Sequence, residues 1–448
     1  MLSVKDAEAR AADLVERAVR SGADAADALY MGDSSTGIQV RLGALEDVER
    51  SEGEEIGLRF FLGRRSASVS SSDLSEEAMA ALVDRAAAMA REAPEDAYAG
   101  LAPEDRLMRD SGPDIEGDDG ADPDPAEIKA RALAIEEAAR AVAGITNSEG
   151  AGVSSGRASM ALATSHGFCR GYSSSGYNAG ASVIAGEGAS MQRDHASHHV
   201  RHYSDLDPPE ALGRLAGDRA VARLDPARLS SGAMPILFDP RVGSSLIGHL
   251  ISAITGSAIA RKTSFLLGKE GEPIFAPGIT IRDDPHRRRG LRSKPFDAEG
   301  LPTKAGNLVE QGRLTGWLLD SASARQLGRE PTGHAVRGSG GAPGAGATNV
   351  HIEPGAMSRE ALIRETGRGL YVTELIGQGV NPVTGDYSRG ASGFLIENGE
   401  IGAPVAEITI AGNLLDMFLT LTAANDLEFR RAVNVPTLRV DGMTIAGA

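Results

Sequence analysis

Four histidines sit in the short run RDHASHHVRHY: His195, His198, His199 and His202. Imidazole nitrogens bind divalent metals. On a helix, His195 with His199, or His198 with His202, would stand one turn apart at ligand spacing. The residues upstream, RASMALATS and NAGASVIAG, alternate as strands do. Alternation carried into the histidine run would send neighbouring rings to opposite faces and make a surface patch instead of a site. A second candidate is His249, alone in the apolar run 239–267, where a histidine reads as a hydrogen-bonded core residue. Arg287, Arg288 and Arg289 could hold an acidic partner, yet Asp283, Asp284 and Asp297 offer them local company, so they read as a solvated loop.

Other chemistries lack their residues. No histidine is followed by glutamate, so HExxH is absent, as is the phosphate loop GxxxxGK[ST]. The glycines at 338–346 do not fit GxGxxG. Cys169 is the single cysteine, which rules out an intrachain disulfide and a Cys-rich zinc site.

The elements that would position these groups can be read from period and punctuation. Residues 3–21 form an amphipathic helix with Leu14, Val15, Ala18 and Val19 on one side. ADALYM, GIQVRL, IGLRFFL and SASVS then alternate as short strands of a meander. A helix over 73–93 follows, with Asp73 and Glu76 as a variant capping box and Pro94 as its stop. The stretch DSGPDIEGDDGADPDP reads as a solvated connector. Beyond it come a helix over 124–143, long antiparallel strands over 150–203, and a helix near 208–224.

The strand AMPILF leads into the central helix, where Asp239 can cap and Pro240 opens the first turn. Leu246, Leu250, Ile254 and Ala258, joined by Ile247 and Ile251, draw one apolar stripe. Ser245, His249, Ser252 and Gly256 fall on another face, small enough for a second backbone to approach. Further on, IENGEIGAP signals a hairpin through Asn398-Gly399, and GHAVRGSGGAPGAGATN reads as an exposed loop. The expectation is an α+β fold. It comprises an α/β domain over 1–100, an acidic linker over 101–125, and a middle helix-and-strand domain over 126–228. A β-rich domain over 229–448 follows, holding one buried helix.

With 46 basic and 62 acidic residues the formal charge is −16, which argues against general nucleic-acid binding. No apolar run nears the roughly 18 residues of a membrane span, and MLSVKDAEAR has no apolar core of a secretory signal. A cytoplasmic protein is expected.

From the central helix onward the chain resembles the PmbA/TldE side of the TldD/PmbA family. The residues that carry this are RKTSFLL, ITIRDDPHRRRGLRSKPFDAEGLPT, GWLLDSASARQLG, VTELIGQGVNPVTGDYSRGASGFLIENGEI and EITIAGNLLDMF; MQRD at 191–194 and the N-terminal block also fit. The resemblance implies paired subunits, one of them a zinc peptidase carrying HExxxH on the equivalent helix and a ligand cysteine near the C-terminus. Aligned on RKTS, this chain has Gly248 and Ala253 at the histidines and His249 at the glutamate. Aligned on Gly248-His249, it has Ser244 and Ser245 for the first histidine and the glutamate. NDLEFRRAVNVPTLRVDG has no cysteine.

The resemblance therefore implies a non-catalytic subunit with no metal of its own. Zinc would reside in a TldD-like catalytic partner, and a homodimer could form in that partner's absence. The substrate would be a small or unfolded peptide held by strand addition, with His249, Arg261, Asp386 and Arg389 as candidates near its groove. Asp386 and Arg389 could instead pair to brace a turn. Two alternatives stand beside this: an autonomous metallohydrolase using His195–His202, and a structural homo-oligomer.

Overall fold

In the computed structural model, which describes residues 1–447, helix α1 (Val4–Arg20) is capped by Ser3 and buries Ala7, Ala11, Leu14, Val15 and Ala18. Strands β1 (Ala25–Arg41), β2 (Ala44–Leu62) and β3 (Arg65–Ser71) follow. ADALYM and GIQVRL, expected as two strands, belong to β1 alone. The polar GDSST between them stays extended because β1 is central, pairing with β2 on one side and β4 (Ile145–Thr164) on the other. Helix α2 (Glu76–Glu92) is capped by Ser75, whose hydroxyl accepts from the Ala78 amide at 3.3 Å. Asp73, expected as the cap, instead accepts from the Ser75 amide at 2.9 Å.

Helix α3 (Pro125–Arg140), β5 (Cys169–Ala185), β6 (Gln192–Val200) and α4 (Pro209–Ala222) complete this half. The strands form one antiparallel sheet in the order β3-β2-β1-β4-β5-β6, so the β1–β4 pairing carries it across 101–125. Strand period sorts the two faces. Ala26, Ala28 and Tyr30 pack under α1 and α2, while Ile38 and Val40 pack under α3 and α4. Odd-numbered Leu29 meets Phe296 and Leu301 of the C-terminal half.

The acidic stretch, expected as solvated, lies along this sheet. Asp119 accepts from the Tyr177 hydroxyl (2.7 Å) and the Tyr203 amide (2.8 Å), and Asp118 from Arg157 (2.9 Å). Glu116 pairs with Arg288 and Arg289, and Arg289 also holds Asp205 at 3.0 Å. Arg288 and Arg289 thus join distant segments in place of their neighbouring aspartates. Carboxylates with fixed donors give an acid run a docked path that composition alone does not distinguish from a free one.

The C-terminal half is built on β7 (Gly232–Phe238), β8 (Gly369–Ile376), β9 (Asp386–Glu397), β10 (Glu400–Asn413) and β11 (Leu438–Ala446). They pair in the order β10-β9-β8-β7-β11, and a further β10–β11 ladder closes a five-stranded barrel. Asn398 and Gly399 both have positive φ at the hairpin tip, as a type I′ turn requires.

Against the barrel packs α5 (Pro240–Ala253), capped by the Asp239 carboxylate through the Arg241 amide. Leu246, Ile247 and Leu250 are fully buried, each contributing about 1.5–3 kcal/mol. The expected continuous helix breaks at Ile254–Thr255, where Leu318 docks: its amide donates to Ile254 and its carbonyl accepts from Gly256. The short helix α6 (Gly256–Ala260) therefore starts afresh and buries Ile259 in place of Ala258. A Cβ on Gly256 would stand 2.2 Å from the Ser323 hydroxyl, so this position is crowded, but by the side chains of Ser323 and Leu319 and not by the second backbone expected along the helix face.

The glycine-rich 333–349 is not an exposed loop. Arg337 reaches Asp27 of β1 at 2.7 Å with its own side chain 1% exposed, and the Ser339 hydroxyl bonds Glu55 of β2.

Candidate functional site

The core stripe of α5 leaves its first turns facing outward, and there the two halves of the protein part. A cleft of about 1350 Å³ opens between them. Its walls come from β6 through His195, Ser197 and His199, from α4 through Leu215 and Arg219, and from α5 through Arg241, Ser244 and Ser245. The segment 425–435 closes it with Glu428, Arg430, Arg431 and Asn434. β6 ends the order of its sheet, so a strand edge runs beside the cleft.

Ion pairs span the parting. Asp194 of β6, 5% exposed, receives Arg241 at 3.1 Å and lies 3.6 Å from Arg223. Arg241 also returns to its own cap, Asp239, at 3.2 Å. The other oxygen of Asp239 accepts from the Tyr371 hydroxyl at 3.0 Å, and burial together with that carboxylate pushes the phenol up. Arg430 holds Asp207 at 2.6 Å.

The histidines separate as alternation requires. His195 and His199 share the cleft face of β6, four residues or about 13 Å apart, too far for one ion. Burial pulls both below the ordinary imidazole value, and Arg219, Arg241 and Arg431 add to this at His195. His198 points the other way, to Asp207, whose amide donates to Nδ1 at 3.2 Å. His202 lies beyond the strand, its Nε2 3.0 Å from the Glu116 carbonyl. Among the described residues no three His, Cys, Asp or Glu side chains converge at ligating distance.

The other expected residues lie elsewhere. His249 faces the barrel, its ring edge-on to Tyr387 at 6.1 Å between centroids, with Nε2 buried and unpartnered. Burial, and secondarily Arg389, lower its proton affinity. Arg389 is buried, with Nε near the Ile376 carbonyl at 3.4 Å. Asp386 is exposed and bonds Thr384 and Asn413. Three positions apart on β9, Asp386 and Arg389 fall on opposite faces, so the imagined pair does not form. Arg261 is exposed after α6, and none of these four lines the cleft. The cleft arginines were not among the sequence candidates; the doublet in EFRRAVNV was the available signal.

The zinc implied by the resemblance can be tested on the donor set. The positions it assigns on the helix are Ser244 and Ser245, or Gly248 and Ala253. The Ser245 hydroxyl donates back to Val242 at 2.6 Å, and Ala253 is buried. The C-terminal segment presents two arginines and an amide where a thiolate is expected. Zinc in proteins takes imidazole, thiolate and carboxylate, and adjacent guanidinium charge opposes a cation. These residues do not fit zinc.

Family models match throughout: PmbA/TldA metallopeptidase domain 1 over 26–90, the central domain over 118–224 and the C-terminal domain over 231–447. Metalloprotease PmbA of Escherichia coli O157:H7 is 41% identical, covering 92% of this chain and 90% of its own. A Haemophilus influenzae PmbA homolog is 38% identical, covering 97% and 94%. A Bacteroides thetaiotaomicron structure, described as a candidate modulator of DNA gyrase, superposes with a TM-score of 0.92 at 26% identity over 100% of both chains. TldE from Thermococcus kodakarensis shares the fold, with a TM-score of 0.87 at 23% identity over 97% and 99%.

Proposed function

The chain belongs to the PmbA/TldD metallopeptidase family, and we propose that within it this protein is the non-catalytic, PmbA/TldE-like subunit of a zinc peptidase acting on small or unfolded peptides. One observation carries the reading. The helix and the C-terminal segment that would furnish zinc ligands line a single cleft, yet they offer Ser244, Ser245, Arg430, Arg431 and Asn434. A TldD-like partner would supply the metal and the general base. This chain would hold the peptide in extended form, its backbone pairing with the edge of β6 while side chains enter the cleft. The scatter of His195, His198, His199 and His202 disfavours an autonomous metallohydrolase.

The test is metal content of untagged protein dialysed against a weak chelator, followed by co-purification and peptidase assay with a TldD-like chain from the native host. Near-zero zinc alone and peptide cleavage only in the mixture are expected. About one zinc per chain in the isolated protein would overturn the reading. Repeated failure to pair at matched expression would favour a structural homo-oligomer.

A further inference from the structure

Not all the cleft arginines are neutralised. Arg241 is taken up by Asp194 and Asp239, and Arg430 by Asp207 and Glu428. Arg219 and Arg431, on opposite walls, have no carboxylate partner among the described residues. Arg219 donates only to the His195 carbonyl, at 3.1 Å. Burial first, and then the Arg241 charge, lower the proton affinity of both, against an opposing pull from Asp239 and, at Arg219, from Asp194. Arg219 is half-buried and Arg431 exposed. The remaining cleft carboxylates form no ion pair with them among the described residues: Asp426 receives the amide and hydroxyl of Thr437 at 2.8 and 2.7 Å, and Asp218 and Glu360 stand apart from both arginines' hydrogen bonds. Like charges held together in a partly desolvated cleft cost free energy that an anion would recover. Planar guanidinium forks match carboxylates in particular.

We infer that Arg219 and Arg431 bind a carboxylate of the peptide lying beside β6, so that the cleft selects acidic peptides or the free C-terminus of a chain. This rests on the peptide-holding role proposed above and adds a substrate class to it. It also gives the unpaired arginines a task where a catalytic cleft would carry metal ligands.

The test uses the isolated full chain and fluorescein-labelled short peptides of common length: neutral with a free C-terminus, neutral and amidated, and acidic and amidated. Binding is followed by fluorescence anisotropy. The combined substitution Arg219→Gln with Arg431→Gln should weaken the acidic or free-carboxylate peptide by about tenfold or more and leave the neutral amidated one unchanged. Affinity for the charged peptides should fall with salt. Loss on amidation alone assigns the ligand to the terminal carboxylate; retained binding of the acidic amidated peptide assigns it to side chains. Arg431→Lys, which keeps charge but not the fork, should fall between wild type and Arg431→Gln, and unchanged circular dichroism would show the variants folded.

Binding indifferent to peptide charge, or to both substitutions, would overturn the inference, as would no binding of any peptide. The outcome is separable from that of the subunit reading. Charge-blind binding by a chain that still activates a TldD-like partner sinks only the inference. Arginine-dependent binding without such pairing sinks only the subunit role.

Discussion

Glu299 is 3% exposed, beside the equally buried Asp297, and accepts from both the amide and the hydroxyl of Ser321. Burial first, and then the Asp297 charge, push its carboxyl up to about 7. Its folded proton affinity thus exceeds the unfolded one, so the native state binds more protons between about pH 4.5 and 7 and loses stability as pH rises through that window. Glu299→Gln keeps an acceptor for Ser321 and removes the charge. It should stabilise the protein above about pH 8 by up to about 3 kcal/mol, the gain vanishing near pH 4. Urea titrations across that range would check it, and a loss of stability at high pH would show the ionised carboxylate to be needed. Nothing in FDAEGLPT announces this burial, since an acid in a turn-forming run reads as solvated. The Asp239-Pro240 cap was legible because capping is settled by three or four consecutive residues.

Elements whose partners follow closely in sequence were legible, and those docked by distant partners were not. The stripe of α5 and the Asn398-Gly399 hairpin came from local period and turn chemistry. The strap 333–349 reads the same by composition whether solvated or docked, and its arginine meets an aspartate 310 residues away. Besides the Ser339 hydroxyl on Glu55, contacts with Asp27 and Gly57 hold it. Arg337 joins Arg59 on the fully buried Asp27, and the Ser339 carbonyl occupies the space where a Cβ on Gly57 would sit, 1.6 Å from it. Arg337→Ala should cost about 3 kcal/mol by stripping one of two cations from a buried carboxylate. Gly57→Val, favourable to a bare strand, should destabilise by expelling the strap. The two should be less than additive, because either releases the same segment, and both should speed proteolysis within it. Stabilisation by Gly57→Val would mean the strap is not held there.

Across the whole molecule, the family runs gave the order of the C-terminal half, but the cleft was invisible because its walls come from residues 178–245, 291–292, 359–401 and 425–435. Only folding brings the start of α5 against that segment, and the same folding shows why the helix is not a ligand helix with two side chains exchanged. Ser244→His with Ser245→Glu would complete HExxxH with native His249 on paper. Five positions on a straight helix, however, are about 140° apart around its axis. Ser244 and Ser245 line the cleft, while His249 is turned to Tyr387 and the barrel. Turning that ring into the cleft requires α5 to unwind locally, against a core holding Leu246, Ile247 and Leu250 fully buried. A cation placed there would still face Arg430 and Arg431 from the opposite wall instead of a thiolate. The double variant should therefore retain no more zinc than wild type after dialysis against a weak chelator, and added zinc should leave its melting temperature unmoved, since a tightly held ion must raise it. Stoichiometric zinc with peptide cleavage by the variant alone would mean that the fold keeps the catalytic geometry. The distance between this chain and a peptidase would then be those two serines and no more.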